Sequence, residues 1–298
     1  MQVGLFLISS KNAFQGHQRE AALRASRSAG LSVDVFYAEN DSRVQREQMF
    51  SYLRRTPPPA GIVVAPVDDA GLRFVAQEAA RNGLAWAMLN RTPSWVEEIG
   101  RECKGLCFSV AADQPAIGRI QAEQYRALLP EGGTVLYLTG PLTTQSTHQR
   151  MTWMESAKGA LISVVKIFGN WTQDSGYAAV KGWLEATRGL VAFDLLGSQN
   201  DDMALGGLKA AAEMADPLGK PGLRRVCATG VDGVPEFGQR WVNEKRLLAT
   251  VIVPTTAGTA IELLAAALRD GVEPASVTLL GVTSSPPVAE LRPLSLGR

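Results

Sequence analysis

The first half of this chain is repeated, loosely but in order, by its second half, and any fold it adopts must accommodate that doubling. Gly4–Ser9 (GLFLIS) matches Thr134–Thr139 (TVLYLT): each is a short apolar run that gives way to small and polar residues and then to a helical pattern. Val33–Asp41 matches Val165–Asp174, Gly61–Asp69 matches Val191–Asp202, and Ala85–Arg91 matches Arg225–Gly233. The offsets are about 130 to 140 residues throughout. At 298 residues there is enough chain for two such units, each with its own core. Two similar lobes side by side would create a cleft, and clefts between domains are favoured ligand sites.

Within each half, Val/Ile/Leu-rich runs alternate with longer helical patterns. That alternation predicts an α/β fold with a mostly parallel sheet covered on both faces. In the first half the strands are expected at Val3–Ser9, Val33–Ala38, Gly61–Ala65, Trp86–Leu89 and Leu106–Val110, with helices over Gly16–Ala29, Ser42–Arg54, Ala70–Asn82 and Gln114–Leu129. Gly30 stands where a helix C-cap needs a residue that tolerates positive φ. Thr56-Pro57-Pro58-Pro59 must be an extended connector. The second half restarts at Pro130–Gly133. Its helices are expected over Thr147–Ile162, Asp174–Arg188, Asp201–Ala215 and Gly233–Glu244. A strand at Leu247–Val253, a helix at Ala257–Asp270, a strand at Ser276–Val282 and a Pro-rich tail complete the chain.

The totals narrow the chemistry. With 46% hydrophobic and 20% charged residues the chain reads as a soluble globular protein, not a disordered one. Thirty basic against twenty-nine acidic residues, with no basic stripe, argue against nucleic acid as a partner. No apolar run approaches the roughly 20 residues that span a bilayer. The first strand begins almost at Met1, leaving no room for a signal peptide, so the chain reads as cytoplasmic or as one whose signal lies elsewhere. Cys103 and Cys107 could pair, but their spacing does not demand it, and with nothing nearby to add ligands they fall short of a zinc set. No phosphate-binding loop, dinucleotide fingerprint or nucleophile elbow occurs, and the two histidines, His17 and His148, have no metal-binding spacing. No metal, cofactor or catalytic residue is expected: the pattern is that of a binder.

In open α/β sheets ligands sit beyond the carboxyl ends of the strands. At those ends the sequence places Asn12, Phe14 and Gln15 after the first strand, Asp68 after the third, and Asn90 and Arg91 after the fourth. In the second half the equivalents are Arg150, Trp171, Asn200 and Asp232. Sugars need this mixture, because their hydroxyls require paired hydrogen bonds while their C–H faces stack on aromatic rings. Each Asn or Asp taken alone is as readily a helix cap, and Asp201 and Asp202 are expected to cap the helix that follows them.

Gln199–Gly206 (QNDDMALG) and Gly230–Gly233 (GVDG) resemble, in that order, two segments of the type I periplasmic sugar-binding proteins typified by ribose-binding protein. Asn90-Arg91 is similar to their Asp-Arg pair, and Ala249–Val251 resembles their return crossing. The resemblance implies two Rossmann-like, doubly wound lobes joined by a three-segment hinge. One lobe would be residues 1–110 plus 255–280, the other 111–254 plus 281–298. It further implies a periplasmic protein, expected as a monomer, that delivers a sugar or polyol to an ABC importer permease. The contacts carried over are Asn12, Phe14, Asn90, Arg91, Arg150, Trp171, Asn200 and Asp232, with Gln15 standing where ribose binders place a second aromatic. Ala65 and Val253 replace polar residues of the family, which puts ribose itself in doubt. In this picture Arg91 and Arg150 grip oxygens, Asn90 and Asp232 accept hydroxyl protons, and Phe14 and Trp171 sandwich the ring. The same fold serves as the effector domain of LacI-type repressors, whose helix-turn-helix is not found here. Two rivals remain: a ligand-sensing domain coupled to a kinase or regulator, and a sugar hydrolase using Asp68 or Asp202.

Overall fold

The computed structural model describes residues 1–68, 71–103 and 105–295. Its backbone divides into two compact units, Met1–Ala112 with Thr255–Leu280, and Asp113–Pro254 with Gly281–Arg298. The chain therefore passes from one unit to the other three times, after Ala112, Pro254 and Leu280.

The first unit contains β1 (Gln2–Leu7), α1 (Ala13–Ala29), β2 (Ser32–Tyr37), α2 (Ser42–Leu53), β3 (Gly61–Val64), α3 (Leu72–Arg81), β4 (Ala85–Leu89), α4 (Trp95–Cys103) and β5 (Cys107–Ala112). The second contains α5 (Gln114–Leu128), β6 (Gly133–Thr139), α6 (Gln145–Ala157), β7 (Ile162–Phe168), α7 (Gln173–Thr187), β8 (Leu195–Ser198), α8 (Asp201–Met214), β9 (Ala228–Asp232), α9 (Arg240–Asn243) and β10 (Ala249–Ile252). The returning chain adds α10 (Thr256–Asp270) and β11 (Val277–Leu280) to the first unit, then β12 (Thr283–Ser285) to the second.

Each unit holds a six-stranded sheet. The first runs β2-β1-β3-β4-β5-β11 and the second β7-β6-β8-β9-β10-β12, so the repeat read in the sequence reappears as one strand order built twice. The first sheet is parallel throughout. In the second only β12 runs antiparallel, against β10. Both faces are covered, as runs such as GIVV and AWAML require: every residue of β3 and β4 is buried.

The two-residue period of a strand sorts these side chains. Val3, Leu5 and Leu7 of β1 join Ala87 and Leu89 of β4 in one core with Ala22 of α1 and Ile261 and Leu264 of α10. Phe6, Ile62, Trp86 and Met88 enter the opposite core with Met49 and Tyr52 of α2 and Val75 of α3. In the second unit Leu136, Leu138 and Leu196 face α7 and α8, while Val135, Tyr137 and Leu195 face α5 and α6.

Most elements lie within a few residues of their expected bounds. Gly30 caps α1 with φ 65° and donates its N–H to the Arg27 and Ser26 carbonyls. Four differences have physical reasons. The helix expected to run to Ile162 stops at Ala157, because Gly159 adopts φ 83° and Ile162 already pairs with Gly133. Helix α4 is unexpected, a short helix whose burial rests on Val96 and Ile99 alone. The helix expected over Gly233–Glu244 is a single wide turn, Pro235–Gln239, before the short α9. Gly238 presses there against Asp201, where a Cβ would lie 2.0 Å from Oδ2. Residues 283–285, expected as tail, form β12; of the tail proper, Leu291 and Leu294 pack on the α5 face of the second core. The expected start of α3 at Ala70 and the last residues of the tail fall outside the described residues, and α3 begins at Leu72.

Helices α7 and α8 meet through glycines. A Cβ on Gly176 would lie 2.3 Å from the Met203 carbonyl oxygen, and one on Gly206 would lie 2.0 Å from that of Gln173. Gly182, also within α7, has open space around it. Gly176→Val should therefore destabilise the protein by about 3 kcal/mol in urea unfolding, through forced separation of the two helices. Gly182→Ala should stabilise it by about 0.5–1 kcal/mol, by restricting the unfolded chain and favouring the helix.

Candidate functional site

The strand order of each sheet reverses beside its first strand, between β1 and β3 in the first unit and between β6 and β8 in the second, and ligands of doubly wound folds bind at such points. The candidate residues lie at these carboxyl ends or on the helices that follow.

In the first unit, Asn12 is the N-cap of α1, its Oδ1 accepting the Gln15 N–H at 3.0 Å. Phe14 is buried within the first turn. Gln15 folds back toward β1, where its Oε1 accepts the Ile8 N–H at 3.2 Å; its Nε2 makes no hydrogen bond among the described residues. Its amide is thus partly spent on the frame, which the sequence comparison with an aromatic did not suggest. Asn90 ends β4 with φ 61°. Its Oδ1 accepts from the Thr256 hydroxyl at 3.2 Å, and its Nδ2 makes no hydrogen bond among the described residues. That bond takes one of the oxygen's two lone pairs and turns the Nδ2 hydrogens away from Thr256. Arg91 is buried and donates from Nη2 to the Pro66 and Val67 carbonyls, both at 3.1 Å. It thus binds the loop after β3 to the end of β4.

In the second unit, Arg150 of α6 is only 6% exposed. Its Nε donates to Gln114 Oε1 at 2.7 Å and its Nη1 to the Gln199 carbonyl at 2.6 Å. Among the described residues it forms no ion pair and Nη2 has no hydrogen bond. Burial lowers its pKa, and the nearby Asp232, Tyr137 and Asp201 oppose that shift. The guanidinium lies 5.7 Å from the centre of the Trp171 ring, within cation–π range. Trp171 itself, at φ 62°, covers Gly140 so closely that a Cβ there would lie 2.0 Å from the indole.

Asn200 is the N-cap of α8, a position expected for Asp201 and Asp202. Its Oδ1 accepts the Met203 N–H at 2.9 Å, and its Nδ2 donates to the Trp171 carbonyl at 2.9 Å. Asn200 thus positions the indole and retains one N–H. Asp201 turns inward instead of capping. Its Oδ1 accepts from the Thr250 hydroxyl at 2.7 Å and its Oδ2 from the Gly233 N–H at 2.9 Å. The carboxylate sits between Gly230 and Gly238, where any Cβ would collide with it. These bonds fix the turn that carries Asp232, which stands at φ 114°, half-buried, with no hydrogen bond to its side chain among the described residues. Burial and then the Asp201 charge push the Asp232 pKa well above the usual carboxylate range, with Arg150 opposing them.

The second unit thus brings Arg150, Trp171 and Asn200 into one hydrogen-bonded and stacked group, with Asp232 in their electrostatic field. The residues that sequence reasoning missed are the ones that hold this group. Gln199 accepts the Gly140 N–H at 3.0 Å and donates to Tyr137 Oη at 3.1 Å and the Thr147 carbonyl at 3.2 Å. Gln114 and Asp201 complete the frame. A buried glutamine breaks no periodicity and forms no motif, so its position within QNDD was the sole signal. Asp68 faces Arg46 at 3.8 Å, and His148 is bonded to the Leu142 carbonyl. Cys103, Cys107 and Cys227 are free thiols.

Comparison with known proteins bears on the fold and the family. The chain is 27% identical over 231 residues to the xylitol-binding protein of Mycolicibacterium smegmatis, a match covering 75% of this chain and 60% of that protein's length. The fold resembles the periplasmic binding protein component of the arabinose ABC transporter from Shewanella sp. ANA-3, with TM-score 0.81 and 20% identity over 97% of this chain and 93% of the other. It also resembles the Caulobacter myo-inositol binding protein, with TM-score 0.79 and 21% identity over 95% and 92%. The fructose-binding periplasmic domain of a hybrid two-component system gives TM-score 0.78 and 19% identity over 95% and 90%. Residues 3–271 match the periplasmic binding protein domain, and with that match over most of its length the chain belongs to the periplasmic binding protein family.

Proposed function

We propose that this protein captures a small sugar or polyol as the solute-binding component of an ABC importer, acting in the periplasm as a monomer and without chemistry of its own. The observation that carries the reading is the Arg150 group: a buried guanidinium stacked near an indole, whose Nη2 has no hydrogen bond among the described residues, and a carboxylate, Asp232, that accepts none among them. A polyol supplies what both lack. A hydroxyl oxygen accepts from the guanidinium, hydroxyl hydrogens satisfy the carboxylate, and a C–H face covers the indole. Phe14, Gln15, Asn90 and Arg91 are the contacts proposed from the first unit, with Asn12 holding the helix that presents Phe14. The xylitol-, arabinose- and inositol-binding relatives support the same class of ligand.

A second reading keeps the binding event and changes its listener. The likeness to a two-component sensor's fructose-binding domain supports a ligand-sensing domain coupled to a kinase. Co-purification with a permease would favour transport, and with a kinase, sensing.

Calorimetry against pentitols, pentoses and cyclitols should find at least one ligand. Asp232→Ala and Arg150→Met should each weaken it by about ten- to a hundredfold, as loss of charged hydrogen bonds demands. Unchanged affinity in both variants would remove these residues from the site.

Affinity should also fall on acidification, beginning at a higher pH than for an ordinary carboxylate. Ligand hydroxyls bind the ionised form of Asp232, while its raised pKa protonates the empty protein as pH drops. Asp232→Asn should flatten that slope, and an equally steep slope in the variant would assign the titration elsewhere.

A further inference from the structure

The amide of Asn90 ends a chain of hydrogen bonds whose direction is set at its far end by a backbone group. The Ala257 N–H, in the first turn of α10, donates to Gln18 Oε1 at 2.8 Å. A backbone N–H can only donate, so the oxygen of Gln18 must face it and the Nε2 must point the other way. That Nε2 donates to Thr256 Oγ1 at 3.1 Å. The threonine hydroxyl has one hydrogen, and it goes to Asn90 Oδ1 at 3.2 Å. Gln18 and Thr256 are both 0% exposed, so water cannot enter to reverse a link. Turning the Asn90 amide over would give Thr256 a second donor and leave its own hydrogen without an acceptor inside the protein.

We propose that Gln18 and Thr256 are positioning residues that fix Asn90 as a hydrogen-bond donor toward the ligand, so that the end of β4 reads an accepting ligand oxygen. Only the ligand contact rests on the sugar-binding reading; the relay stands without it. Polarity is passed from a main-chain N–H through two buried side chains to the site, and neither relay residue touches the ligand.

Swapping the chemistry at position 90 separates the two polarities. A carboxylate there has accepting oxygens only: one takes the Thr256 hydrogen, and the other is met only if the ligand hydroxyl turns its own hydrogen away from the partner it otherwise donates to. Asn90→Asp should therefore weaken binding of whichever of xylitol, L-arabinose or myo-inositol the wild type takes by tenfold or more, whereas an acceptor role would leave affinity equal or raise it. Thr256→Val should weaken the same probe severalfold and Thr256→Ser should restore it, with thermal melts reporting whether each variant folds. In the ligand-free protein, side-chain amide signals in ¹⁵N–¹H spectra should shift for both Asn90 and Gln18 in Thr256→Val and stay in place in Thr256→Ser. Equal or tighter binding by Asn90→Asp, or unmoved Asn90 signals in Thr256→Val, overturns the proposal. If none of the three probes binds the wild type, the sugar reading loses its support, and the spectra alone decide the relay.

Discussion

The desolvated guanidinium of Arg150 is the constraint around which the second unit is arranged. A buried cation is costly unless its donors are met, and here two are met by neutral oxygens, from Gln114 and the Gln199 main chain. Neutral partners satisfy the hydrogen bonds without cancelling the charge. The site therefore keeps a positive field that a carboxylate partner would have quenched, and the nearby Asp232 supplies a countercharge without locking the arginine. Replacing Gln114 by a glutamate would place an acid against Nε and spend the charge within the protein.

Rigidity in this group comes from a second layer of uncharged side chains. Gln199 joins β6, α6 and the Gly140 turn, while Asn200 both starts α8 and anchors the Trp171 carbonyl. Asp201 works from the inside of the same helix, fastening β9 to β10 through Gly233 and Thr250. The glycines around it are required by its volume, since Gly230 and Gly238 leave no room for a Cβ beside the carboxylate. An acidic residue that reads in sequence as a surface cap is here an internal strut.

The repeat made the architecture legible, because an apolar run buried on both faces marks a parallel strand at β1, β3, β4, β6 and β8 alike. The strand ends then named most of the candidate residues. What stayed hidden was donor and acceptor bookkeeping. Which way the Asn90 amide is turned depends on Thr256 and Gln18, which are far from it in sequence, and no local pattern records that. The wide turn at Pro235–Gln239 escaped for a similar reason: its shape answers to Asp201, more than thirty residues earlier. Elements set by their own periodicity could be read, and those set by a distant neighbour could not.

The first unit is not contiguous in the chain, and that has a consequence for its biogenesis. One face of its sheet, including Val3, Leu5, Val63 and Leu89, is covered in part by Ile261 and Leu264 of α10, which leave the ribosome only after residues 113–254 of the other unit have been made. Until then α1 alone covers that face, so a product terminated before residue 256 leaves part of it exposed to water and prone to aggregate.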